Sequence, residues 1–120
     1  MAISPKLRQA VFDRDGNKCV SCGTIDNLTI QHRVSKGMGG SKQFDTVAYL
    51  LTLCLICNVR LEADADFAKL GIDYGWKIRR NTLESLDPTA VIVKYADGWY
   101  RLDEQGTKIK IGNNTQIKEK

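Results

Sequence analysis

Histidine is almost missing from this chain: His32 is the only one among 120 residues. A zinc deaminase, which shuttles protons through a His-x-Glu pair, is excluded because the sequence reads His32-Arg33-Val34. No run approaches the ~18 apolar residues of a membrane span, and MAISPKLRQA lacks the apolar stretch of a secretory signal. The expected setting is therefore a reducing cytoplasm, where paired cysteines point to metal rather than to disulfides. Repeats at a solenoid period and low-complexity segments are absent as well. A length of 120 residues excludes two large domains.

The formal charge is +4, from 18 basic and 14 acidic residues, which permits a polyanionic partner without requiring one. Residues 1–42 carry seven Lys or Arg against three Asp, whereas residues 60–75 carry four acids against two bases. The basic N-terminal half is thus a candidate nucleic-acid face. Glu62, Asp64 and Asp66 read as a solvated helix face that disfavours DNA on its side.

Ser4-Pro5 has the form of an N-cap and first helical residue, and Leu7, Ala10 and Val11 keep helical spacing until Asp15-Gly16. Leu28 to His32 alternates like a short strand, and Leu50 to Cys54 reads as a second. Between them, residues 33–47 form a long glycine-rich loop of the kind that is usually functional. From Asn58 a 3.6-residue rhythm through Leu61, Ala65 and Ala68 predicts one helix to Leu70, capped by Gly71. Beyond Asp87-Pro88, the runs 90–95, 99–102 and 107–111, separated by Asp97-Gly98 and Gln105-Gly106, predict a β-meander. Trp76, Tyr95, Trp99 and Tyr100 then serve as its core or as anchors for a protein partner.

Cys19-x-x-Cys22 and Cys54-x-x-Cys57 are separated by 31 intervening residues. Each pair sets two thiolates on one turn, close enough to share a tetrahedral Zn²⁺. With four protein ligands that ion keeps no open position, so the site is structural. His32 lies between the pairs and begins a basic, glycine-rich loop containing Arg33, Lys36, Gly37, Gly39, Gly40, Ser41 and Lys42. Its exposed backbone N–H groups and its cations suit phosphate.

Arg14-Asp15-Gly16-Asn17-Lys18-Cys19-x-x-Cys22, Gln31-His32-Arg33 with Gly37-Met38-Gly39-Gly40-Ser41, and Leu50-Leu51-Thr52-Leu53-Cys54-x-x-Cys57-Asn58 together resemble HNH endonucleases of the four-cysteine zinc type. The chain is most similar to the small HNH proteins of bacteriophages, over roughly residues 8–80. The resemblance implies an α+β fold: a ββα-metal finger with a structural four-cysteine zinc site, an N-terminal helix before it and a small β-meander after it. The expected divisions are 1–82 for the nuclease domain, 83–112 for the meander and 113–120 for a tail.

The resemblance further implies hydrolysis of DNA phosphodiester bonds, by nicking or cleavage, in the cytoplasm of a bacterial host. His32 matches the general base, and Asn58 matches the helix ligand of a catalytic Mg²⁺ or Mn²⁺. Gln31 stands where the family often has a metal-binding Asp, and Tyr49 where it has the Asn that orients the histidine. Phage packaging or replication proteins are the partners expected besides DNA. Two other readings stay open: a non-cleaving DNA-binding module, and a zinc-stabilised protein-interaction adaptor.

Overall fold

A computed structural model describes residues 3–34, 46–78 and 88–111. Helix α1 (Pro5–Arg14) begins where Ser4 Oγ accepts the Leu7 N–H at 3.1 Å, with Pro5 in the first turn. It ends at Asp15, and Gly16 and Asn17 follow in the left-handed region. Strands β1 (Leu28–His32) and β2 (Leu50–Cys54) pair antiparallel, Leu28 opposite Cys54 and His32 opposite Leu50. A short 3-10 turn, Val47–Tyr49, leads into β2.

Every residue of β2 is buried, because the strand is covered on both faces. Leu50 packs with Val11 of α1, Val47 and Ile30. Leu51 and Leu53 project the other way, into a larger cluster with Trp76, Val93, Tyr100 and Leu102.

The chain passes from β2 directly into α2 (Leu55–Ala63), whose cap is Cys54. The single helix expected from Asn58 to Leu70 is instead two. Asp64 leaves helical geometry, and its carboxylate caps α3 (Ala65–Asp73) by accepting the Asp66 and Phe67 N–H groups. Gly71 lies inside α3 rather than at its cap, and its missing side chain admits Leu61. Asp64 thus belongs to a cap as well as to an acidic surface.

The expected meander is present as β3 (Val93–Tyr95), β4 (Gly98–Leu102) and β5 (Lys108–Lys110), antiparallel in that order. The described residues form a mixed α+β fold with two small sheets. Val93, Tyr95, Tyr100 and Leu102 share one hydrophobic cluster with Leu51, Leu53, Cys54 and Cys57, so the C-terminal sheet completes the core that the cysteines begin. No helix among the described residues is long and apolar enough to cross a membrane.

Candidate functional site

The four cysteine sulfurs, from Cys19, Cys22, Cys54 and Cys57, lie within 4.8 Å of one another. A tetrahedron with Zn–S bonds near 2.3 Å has edges of about 3.8 Å, and Cys22 Sγ stands 3.8 Å from Cys54 Sγ. Local backbone supports each pair: the Cys22 N–H points to Cys19 Sγ and the Cys57 N–H to Cys54 Sγ, both at 3.4 Å. Burial pushes the Cys19 and Cys57 thiols up from their ordinary pKa. At Cys54 burial acts the same way, but donors from Cys57, Cys22 and Cys19 outweigh it and lower the pKa. Four thiols so placed fit a structural metal such as zinc, which would tie the turn after α1 to the start of α2.

His32 is half-buried at the end of β1. Register sets it on the same face as Ile30 and Leu50, the side toward α1. Gln31 lies on the opposite face with Thr29 and Leu51. Asn58, the fourth residue of α2, meets that second face: its Nδ2 donates to Thr29 Oγ1 at 2.8 Å, and Thr29 in turn donates to Leu53 O at 2.7 Å. Asn58 and Gln31 therefore share one side of β1, with His32 at the strand end. Gln31 is buried, and its Nε2 donates to His32 O at 2.7 Å. Thr29 was not singled out by the sequence; its signal is a polar residue two positions before Gln31, on the same strand face.

Tyr49 packs against Val34 and Ile78, and its carbonyl accepts the Arg33 N–H at 2.7 Å. This bond extends the β1–β2 pairing one residue past His32.

Arg33 corrects an expectation. Read as countercharge for phosphate, it is fully buried, and its guanidinium donates to Gly75 O, Ala48 O, Pro88 O and Val91 O at 2.8–3.0 Å. A planar fork with five N–H groups can satisfy several carbonyls at once, which explains Arg here in place of an apolar residue. Burial, reinforced by the like charge of Arg14, lowers its pKa to about 9, so it stays protonated at neutral pH. Its donors are spent inside the protein and cannot reach a phosphate. Lys36, Gly37, Gly39, Gly40, Ser41 and Lys42, the rest of the expected phosphate loop, lie outside the described residues.

A second buried cation borders the hairpin. Arg14 grips Asp15 through Nε and Nη2, at 2.8 and 3.0 Å, and reaches Val47 O and Leu50 O as well. Burial opposes the Arg14 charge, but the Asp15 carboxylate outweighs it and raises the pKa. Asp15 Oδ2 also accepts the Thr52 N–H at 2.9 Å, so the end of α1 is fixed to the middle of β2.

Compared with known proteins, the chain matches no family model, no curated protein and no solved structure.

Proposed function

We propose that this chain is a metal-dependent endonuclease of the HNH type that hydrolyses DNA phosphodiester bonds, with His32 as general base. One observation carries the reading: β1, ending in Gln31-His32, pairs with β2, which runs directly into α2, and Asn58 of α2 is hydrogen-bonded back to β1. This element order is compatible with a ββα-metal finger, with His32 at the end of the strand whose other face carries Gln31 and meets Asn58. The four-cysteine cluster at the junction of β2 and α2 supports it.

In this reading His32 takes a proton from the attacking water, the general-base role that imidazole most often fills. The candidate holders of Mg²⁺ or Mn²⁺ are the amide oxygens of Asn58 and Gln31. Both residues use Nδ2 or Nε2 in the bonds described above, which leaves oxygen as the end for a hard cation. Such an ion would supply positive charge against the phosphate. DNA is the proposed substrate and partner.

The test is conversion of supercoiled plasmid to open circles in Mg²⁺ or Mn²⁺, beside His32→Ala at equal zinc content. Nicking by the parent protein alone is expected; nicking by both would overturn the role of His32. A second reading, a DNA-binding module that does not cleave, is favoured by Gln31, a neutral amide turned onto the His32 carbonyl where a carboxylate would bind a divalent ion more firmly. Salt-sensitive DNA binding without turnover in either metal would select it.

A further inference from the structure

The face of the C-terminal sheet that points away from the core has an unusual composition. Val93, Tyr95, Tyr100 and Leu102 are buried on the inner face. By register, Lys94 and Trp99 are opposite each other on the outer face, as are Arg101 and Ile109. Ile111 continues the row, since its N–H donates to Trp99 O at 2.9 Å. The solvated face of a small antiparallel sheet is ordinarily polar. Here it combines one tryptophan, two isoleucines and two cations, and Ile109 is 53% exposed.

Charge on this sheet is segregated. Its described acids, Asp97, Asp103 and Glu104, all sit in the two turns. Asp97 accepts from Tyr100 Oη, and Asp103 accepts the Gln105 and Thr107 N–H groups. The strands themselves carry only cations: Lys94, Arg101, Lys108 and Lys110. Lys108 Nζ lies over the Tyr95 and Tyr100 rings and Lys110 Nζ bonds Asp97 O; by register both are opposite inner-face residues, Leu102 and Tyr100, and so do not share the face of Trp99 and Arg101. Tyr74 stands edge-on to Trp99, with ring centres 5.8 Å apart at 89°, and fixes the indole.

We infer that this outer face, centred on Trp99 and Arg101, is a docking surface for a single strand of DNA. The partner must offer negative charge along its length and flat apolar faces between the charges. A single strand does both: its phosphates meet Arg101 and Lys94, and an unstacked base lies on the half-buried Trp99, flanked by Ile109 and Ile111. A duplex hides its base faces and matches only the charge. The inference stands on the sheet and is independent of whether His32 cleaves.

The two tryptophans make the test direct. Trp76 is 4% exposed and Trp99 is partly exposed, so a ligand on this face quenches Trp99. The full zinc-loaded chain is titrated with a dodecamer of thymidylate, without added Mg²⁺, by tryptophan fluorescence and by anisotropy of a labelled strand. Expected are quenching in the parent protein, its loss in Trp99→Phe, and affinity lower by about tenfold in Trp99→Ala. Arg101→Glu is expected to weaken binding by at least about tenfold and to reduce the salt dependence by about one phosphate contact. Arg101→Gln, which leaves the strand neutral, gives a second measure should the reversed charge disturb folding. Equal affinities of the parent and both Arg101 variants overturn the inference, as does equal affinity for a duplex of the same length. Binding to phosphatidylserine vesicles with none to the oligonucleotide also overturns it. Oligonucleotide binding by a chain that never nicks plasmid sinks the nuclease reading alone. Nicking with unchanged oligonucleotide affinity in the Arg101 variants sinks this surface alone.

Discussion

Tyr95 Oη donates a 2.5 Å hydrogen bond to Asp15 Oδ1, joining residues 80 positions apart. The bond ties β3 to the end of α1, where Asp15 already holds Arg14 and the Thr52 N–H. Tyr95→Phe removes one donor and leaves the carboxylate its others. A loss of about 1–3 kcal/mol of unfolding free energy is expected, read from urea denaturation at pH 7. A change within error would mean that the C-terminal sheet is held by apolar contact alone.

The same pair sets an alkaline limit. Burial, together with the Asp15 charge, raises the Tyr95 pKa above its ordinary value of 10.0. The unfolded chain releases this proton near that ordinary value, whereas the folded chain retains it. Above pH ~10 the folded state therefore binds more protons, and stability falls as pH rises. Below that pH the contribution is complete. Urea midpoints measured from pH 7 to 11 are expected to fall more steeply above pH ~10 in the parent protein than in Tyr95→Phe.

Removing the metal is expected to loosen the centre of the molecule, because Cys54 and Cys57 belong to the same cluster as Leu51, Leu53 and Tyr100. Purified protein should contain one Zn²⁺ per chain by elemental analysis. Cys22→Ser, at the exposed member of the four, should lose the ion and about 4 kcal/mol or more of stability. Four reduced thiols with no bound metal and unchanged thermal unfolding would show that packing suffices.

Local rules made much of this architecture legible. Strand residues 28–32 and 50–54 were readable because alternation and apolar runs fix period and length, and the cysteine spacing disclosed the cluster. The break at Asp64 was hidden because Leu61, Ala65 and Ala68 keep helical spacing straight across it, while the capping carboxylate looks like any surface acid. Arg33 misleads for a related reason. A cation beside glycines suggests phosphate, and only the tertiary fold reveals that Ala48, Gly75, Pro88 and Val91 bring their carbonyls to it. The partnership of Asp15 with Tyr95 leaves no local trace at all, since its members lie 80 residues apart. At the candidate site, the sequence supplied Gln31, His32 and Asn58, but not the strand faces they occupy or the link through Thr29.

Arg33 should behave as an internal fastener. Arg33→Met keeps the length of the side chain and orphans four carbonyls, for an expected loss of about 3–5 kcal/mol in chemical denaturation. Arg33→Lys is expected to recover only part of it, because an ammonium cannot span four acceptors arranged around a planar fork. In the fraction that remains folded, the salt dependence of DNA binding should be unchanged. A slope reduced by one contact would return Arg33 to the phosphate-binding set.

Gly75 permits the approach that Arg33 secures. Its φ is +79°, and a Cβ there would lie 2.0 Å from Ile92 O, a backbone atom that cannot swing aside. The flanking residues hold the same seam: Lys94 donates its N–H to Tyr74 O, and Trp76 Nε1 donates to Lys94 O, both at 2.9 Å. Gly75→Ala must therefore open the contact between the end of α3 and β3 and displace the carbonyl that Arg33 Nε uses. Gly106 supplies the control, because its φ is +88° but a Cβ there meets nothing nearer than Val47 Cγ2 at 3.8 Å. Gly106→Ala is expected to cost about 1–2 kcal/mol, from backbone strain alone. Gly75→Ala should exceed it by about 1–3 kcal/mol, the added cost of overpacking. Equal losses in the two variants, measured by urea denaturation, would mean that the seam yields without penalty and that Arg33 does not depend on its closeness.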